Sequence, residues 1–133
     1  MDKLLPPVMV FPDQRDPASA YRVAFDLLSR REVVQALEVL EPALELEPEN
    51  HGLRTLRAWA WFIRVQLDKA RVELEALVEA DPTDAWVRFM LGRTLERQSK
   101  YDEALPHLRL AAVMSGDPEH ELSVLRVERL RGL

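Results

Sequence analysis

The feature that most constrains this sequence is a regular return of small side chains, at an interval of about 34 residues. Two sets of three small residues keep this repeat interval, namely Ala24, Ala58 and Gly92, and Ala36, Ala70 and Ala104. Leu40, Leu74 and Leu108 keep it as well, as do Pro48 and Pro82. A unit of this length holds two short helices, whose apolar faces are buried only against neighbouring units. The interval therefore predicts stacked helical hairpins, an architecture typical of proteins that hold another polypeptide.

Apolar residues between positions 17 and 131 also recur at the spacing of amphipathic helices, as in the run Val33, Leu37, Leu40 and Leu44. The pairs Asp16-Pro17 and Asp117-Pro118 each place a capping acceptor before a proline at the first helical position. We predict helices near residues 17–30, 33–46, 51–64, 67–80, 84–97, 101–114 and 118–131. The small residues would let the two helices of each hairpin approach closely.

Composition argues against several classes of partner. The net charge of −5 disfavours nucleic acid, whose phosphates need a basic surface. The longest uncharged run, Leu4 to Pro12, has nine residues with three prolines, too short and too broken to span a membrane or to form a signal peptide. We therefore expect a cytoplasmic protein that binds neither nucleic acid nor a membrane.

The sequence lacks the residue patterns of an active site. Without cysteine, disulfides, thiolate catalysis and cysteine-ligated zinc are excluded. No two of the histidines His51, His107 and His120 are three or four residues apart, so no helix offers a paired metal site, and we expect all three at the surface. Neither a nucleophile motif nor a phosphate-binding loop occurs. We expect no enzymatic activity, no cofactor and no metal.

These spacings resemble the tetratricopeptide repeat, with its pattern W-x2-L-G-x2-Y, A-x3-F and P. The third unit carries the resemblance best, through Leu91-Gly92 and the segment Tyr101-Asp102-Glu103-Ala104. Arg54, Arg57 and Arg88 depart from the pattern, because the family has tryptophan or leucine there.

The resemblance implies an all-α fold, a right-handed superhelical α-solenoid of three antiparallel helix hairpins followed by a seventh helix. Its domain would cover residues 17–133, with repeats at 17–50, 51–84 and 85–118 and a capping helix at 118–131. In the capping helix we expect Leu122, Leu125 and Leu130 to pack on the third repeat, and Glu119, Glu121, Arg126 and Arg129 to face water.

The resemblance also implies that the first helix of each repeat lines a concave groove. The inner positions fall on Tyr21, Phe25, Leu28, Leu56, Trp59, Phe62, Ile63, Trp86, Phe89, Met90, Arg93 and Arg97. A lining this apolar cannot replace the hydration of a carboxylate, so we expect an apolar polypeptide segment as ligand. Arg93 and Arg97 would contact a polar or acidic end of that segment.

Residues 1–16 differ from the rest, because they combine prolines with apolar residues in a predicted extended arm. Pro7, Met9, Phe11 and Pro12 resemble the P-x-L-x-x-P motif that small tetratricopeptide chaperones of bacterial type III secretion bind. We hypothesise that this arm fills the groove of its own molecule or of a partner.

Three functions remain open at this point. The first is a protein–protein interaction module, an adaptor or chaperone for a protein or peptide client. The second is a structural assembly subunit or homodimer whose groove is filled by its own or a partner's arm. The third uses the six glutamates between Glu32 and Leu53, where no lysine or arginine occurs, to dock a basic partner.

Overall fold

A computed structural model of the protein describes residues 16–133, and every regular element in that range is an α-helix. The helices are α1 (Pro17–Ser29), α2 (Val33–Leu46), α3 (His51–Ile63), α4 (Leu67–Ala80), α5 (Ala85–Arg97), α6 (Tyr101–Ser115) and α7 (Pro118–Arg131). Each predicted helix is present with ends within one residue of those expected, so the all-α prediction is confirmed. The predicted arm, up to residue 15, lies outside the described residues. None of the described helices has the length and apolarity needed to cross a bilayer.

The helix caps and the turns between helices also recur at the repeat interval. Asp16, Asn50 and Asp84 lie before α1, α3 and α5, and each side chain accepts a hydrogen bond from a backbone N–H three residues on, at 3.2, 3.0 and 3.1 Å. Arg31, Val65 and Ser99, in the turns before α2, α4 and α6, share left-handed φ angles of 65°, 62° and 61°. The same local geometry therefore begins and reverses each hairpin.

The chain forms two compact units, the first ending at Arg64 and the second running from Val65 to Leu133. In the first unit α1 packs on α2, and α3 contacts both. Its core consists of small and aliphatic side chains, namely Ala20, Ala24, Leu28, Val33, Ala36, Leu40, Ala43, Leu44, Leu53, Leu56 and Ala60.

In the second unit α5 packs between α4 and α6, and α7 packs on α6 and α5. A Cβ atom on Gly92 would lie 2.5 Å from Cδ2 of Leu108. Leu108 is fully buried, so its side chain would have to shift to admit that atom, and glycine allows the close approach of α5 to α6. Gly92 and the five alanines of the two small-residue sets are all buried, as their spacing predicted.

The predicted packing of the last helix is wrong in part. Leu122 and Leu125 are 62% and 61% exposed, whereas His120, Ser123 and Val127 are buried. The reason is that α7 is oriented by polar and aromatic contacts: His120 stacks on Phe89, and Arg126 donates to Glu96 at 2.7 and 2.8 Å. Arg126 was expected to face water and instead forms an ion pair with Glu96. Leu130 is half-buried, and Glu119, Glu121 and Arg129 are exposed as expected.

Candidate functional site

The first unit carries a cluster of three aromatic rings, Tyr21, Phe25 and Trp59, which we call the aromatic surface. Tyr21 and Phe25 lie one turn apart on α1, with ring centroids 6.2 Å apart and ring planes inclined by 22°. The ring of Phe25 also contacts Trp59 of α3, at 5.8 Å and 58°. Tyr21 is 39% exposed and Phe25 47%. The structure therefore brings together three of the predicted groove residues and leaves two of them open to solvent.

The position of these rings on α1 explains their exposure. The buried stripe of α1 is Ala20, Ala24 and Leu28, and Tyr21 and Phe25 follow its first two members directly. Each ring is therefore turned by about 100° from the core, because a helix has 3.6 residues per turn. On the facing helix α3, Gly52 lies beside Tyr21, and a Cβ there would come within 3.3 Å of the ring. The facing helix thus places no side chain over Tyr21 from position 52.

The other predicted groove residues of the first unit are less accessible. Leu28 and Leu56 are buried in its core. Phe62 and Ile63 are half-buried, and Ile63, like Trp59, packs against that core. These four residues are therefore less exposed than Tyr21 and Phe25, the two rings that face solvent.

In the second unit, one of the predicted aromatic groove residues is exposed and its neighbours are buried. Trp86 is 38% exposed, but Phe89 and Met90 are buried. The ring of His120, from α7, stacks on Phe89 with centroids 4.0 Å apart and planes 17° apart. Arg93 places its guanidinium 5.9 Å from the centre of the same ring. A histidine and an arginine therefore both contact the ring of Phe89.

The two predicted cationic positions also differ. Arg93 is half-buried, and its Nε lies 3.3 Å from Oε1 of Glu96, which also accepts the hydrogen bonds of Arg126. The hydrogen bond to Glu96 raises the pKa of Arg126 above its ordinary value. Arg93 thus already has an acidic neighbour within its own unit. Arg97 is more exposed than Arg93.

Sequence reasoning missed His120, which was expected at the surface and is buried. Its Nδ1 lies 2.8 Å from the hydroxyl of Ser115 and 3.4 Å from the carbonyl oxygen of Ala111. The repeat gave no signal for it, because His120 is the third residue after the N-cap Asp117, whereas Gly52 is the second after the N-cap Asn50. Positions 52 and 120 nevertheless lie beside equivalent rings, one with no side chain and the other with an imidazole.

Comparison with known proteins agrees with this repeat architecture. Two models of the tetratricopeptide repeat family match the chain, one over residues 27–85 and the other over residues 73–105. Anaphase-promoting complex subunit 3 of Schizosaccharomyces pombe is 31% identical over 86 residues, or 65% of this chain. The match covers 13% of that relative's length.

Solved structures show the same fold at low sequence identity. The Sgt2 TPR domain from Aspergillus fumigatus has a TM-score of 0.80 at 18% identity, and the match covers 88% of this chain and 80% of that one. The OM64 TPR domain of Arabidopsis has a TM-score of 0.79 at 15% identity, with 87% and 98% covered. The resemblance inferred from Leu91-Gly92 and the small-residue interval is confirmed, and the chain belongs to the tetratricopeptide repeat family.

Proposed function

We propose that this protein is an interaction module whose aromatic surface binds an apolar polypeptide segment. Membership of the tetratricopeptide repeat family supports a role in protein–protein interaction. The observation that carries the finer proposal is the exposure of Tyr21 and Phe25, two large rings in mutual contact. Exposed aromatic groups of this kind contribute strongly to binding, because they bury a large apolar area at a low cost in side-chain entropy.

The spacing of the two rings suits an extended ligand. Their centroids are 6.2 Å apart, and alternate residues of an extended strand lie about 6.6 Å apart with their side chains on the same face. Alternate side chains of an extended segment would therefore meet successive rings. Prolines lower the entropic cost of ordering the segment, since they fix φ near the polyproline value.

The chain's own arm has this pattern, because Met9 and Phe11 are two residues apart and prolines flank them. The arm would then compete with a client from a high effective concentration. An adaptor or a chaperone in the cytoplasm would use the surface in this way, and the identity of the client distinguishes the two roles.

A labelled peptide of residues 4–12 tests the proposal by fluorescence anisotropy. We expect Tyr21→Ser combined with Phe25→Ser to weaken binding at least about tenfold, since both rings would leave the interface. Val23→Ser is the matched control, because Val23 is similarly exposed at 45% but lies about 160° around α1 from either ring. Equal binding by the double variant and the wild type would refute the proposed site.

Removal of residues 1–15 tests the arm separately. If the arm occupies the aromatic surface, the shortened chain binds the peptide more tightly than the full chain does. If the occupant is the arm of a second copy, the shortened chain is also a monomer where the full chain is a dimer. Unchanged affinity and unchanged size would rule out the arm as occupant and leave an external client.

A further inference from the structure

The second unit carries an apolar surface of its own, which is different from the aromatic surface of the first unit. It lies along the junction of α6 and α7 and consists of Ala112, Val113, Val124 and Leu125, which we call the aliphatic patch. Arg109, Glu121 and Glu128 border it. Val113 is 81% exposed and Leu125 is 61% exposed. Large aliphatic groups grouped in this way usually mark an interaction surface.

The repeat register shows what kind of element would cover the patch. Val124 lies seven residues after the N-cap of α7, the position that Leu91 occupies in α5, and Leu91 is 1% exposed. Helix α6 follows α5 and packs on it, but within residues 16–133 no helix follows α7 in the same way. The patch therefore presents a helical packing face on which no described helix lies.

The charges of α7 favour a second copy of the chain as the occupant of the patch. Its first turn is acidic, with Glu119 and Glu121, and its last turn is basic, with Arg129 and Arg131. An antiparallel pairing of α7 with a second α7 would place each acidic turn beside a basic turn, twice over. A parallel pairing would instead align like charges. The sequence of charges along α7 is thus complementary to itself in one orientation only.

We propose that the protein forms a two-fold symmetric dimer through the aliphatic patch, with α7 antiparallel to the α7 of a second copy and the axis near Leu125. A two-fold axis gives both subunits the same contacts, so one patch completes the interface. Helix α7 has 14 residues and is about 21 Å long, which makes the interface small. The expected dissociation constant is therefore roughly micromolar.

Sedimentation velocity of the full chain over roughly 1 to 300 µM tests the dimer, because that range brackets a micromolar dissociation constant. We expect Leu125→Glu to be monomeric throughout, since it would bury two charges at the axis. Val72→Glu is the control, because Val72 in α4 is 60% exposed but lies outside the patch. A monomeric wild type, or a dimer that Leu125→Glu leaves intact, would overturn the proposal. A dimer lost only on removal of residues 1–15 would do so too.

Charge exchange tests the orientation. Glu121→Arg and Arg129→Glu should each weaken the dimer several-fold, because each places like charges together across the axis. The two substitutions combined should restore it, since the pair is only reversed. Circular dichroism checks that every variant keeps its helix content. Failure of the combined variant to recover the dimer would overturn the antiparallel arrangement.

Discussion

Tyr21 in the first unit and Phe89 in the second occupy the same position of the repeat, two repeat intervals apart, yet Tyr21 is 39% exposed and Phe89 only 7%. The residue that faces the ring differs, because it is Gly52 beside Tyr21 and His120 over Phe89. The backbone arrangement repeats while the covering side chain does not. The side chain on the facing helix thus decides whether the ring at this position is exposed or buried.

The largest expected difference between the two sites is in stability. We expect Phe89→Ala to lower the free energy of unfolding by about 3–5 kcal/mol, the usual cost of removing a buried aromatic ring. Tyr21→Ala should cost less than about 1 kcal/mol, because much of that ring already contacts water. Urea unfolding followed by circular dichroism measures both. Equal losses would show that the two rings are buried alike.

The covering side chain itself is the next target. His120→Ala would uncover Phe89 and remove the contact with Ser115, so we expect a loss of about 2–3 kcal/mol. Leu122→Ala provides the control two residues away, because Leu122 is exposed and should tolerate truncation. If urea midpoints fell equally for both variants, the role of His120 as the cover of Phe89 would be refuted.

The two units also differ at one of the small-residue positions, where the second unit has glycine and the first has alanine. Gly92→Ala should destabilise the second unit by about 1–2 kcal/mol, since the added Cβ would overlap the buried side chain of Leu108. The equivalent residues of the first unit are Ala24 and Ala58, which already place a methyl group there. Gly132→Ala is the control, because its Cβ would meet nothing closer than 3.5 Å. A melting temperature unchanged by Gly92→Ala would contradict the close approach of α5 and α6.

The smallest expected effect depends on pH. Burial, and then the nearby Arg88, lowers the pKa of His107 below its ordinary value. The folded state therefore favours the neutral imidazole, and its contribution to stability is complete above about pH 6.5 and declines as the pH falls below that value. His107→Gln should reduce the loss of stability between about pH 7 and pH 5. The first unit has Val39 at the corresponding position, so it supplies no matching titration. An identical pH profile in the variant would refute this assignment.

The sequence was sufficient for the helices because their determinants are local and repeated. The caps at Asp16, Asn50 and Asp84 and the small residues at each crossing recur once per repeat, so one repeat predicts the next. The face of α7 could not be predicted in this way. The leucines of α7 suggested which of its faces is buried. The contacts of His120 with Phe89 and of Arg126 with Glu96, both on α5, determine that a different face is buried.

The predicted groove shows the same limit. The resemblance identified the helices that carry the aromatic residues, and Tyr21, Phe25 and Trp59 do lie together. It could not distinguish exposed rings from covered ones, because exposure depends on the side chain of the facing helix. Gly52 and His120 carry that information, and neither belongs to the apolar pattern.

Hydroxyl-radical footprinting of the full chain compares Tyr21 and Phe89 within one sample. Oxidation of each residue is read by mass spectrometry after tryptic digestion and divided by its value in the unfolded chain. We predict a ratio several-fold higher for Tyr21 and Phe25 than for Phe89, with Phe89 rising to their level in His120→Ala. Equal ratios for Tyr21 and Phe89 in the wild type would contradict an open aromatic surface on the first unit and a closed one on the second.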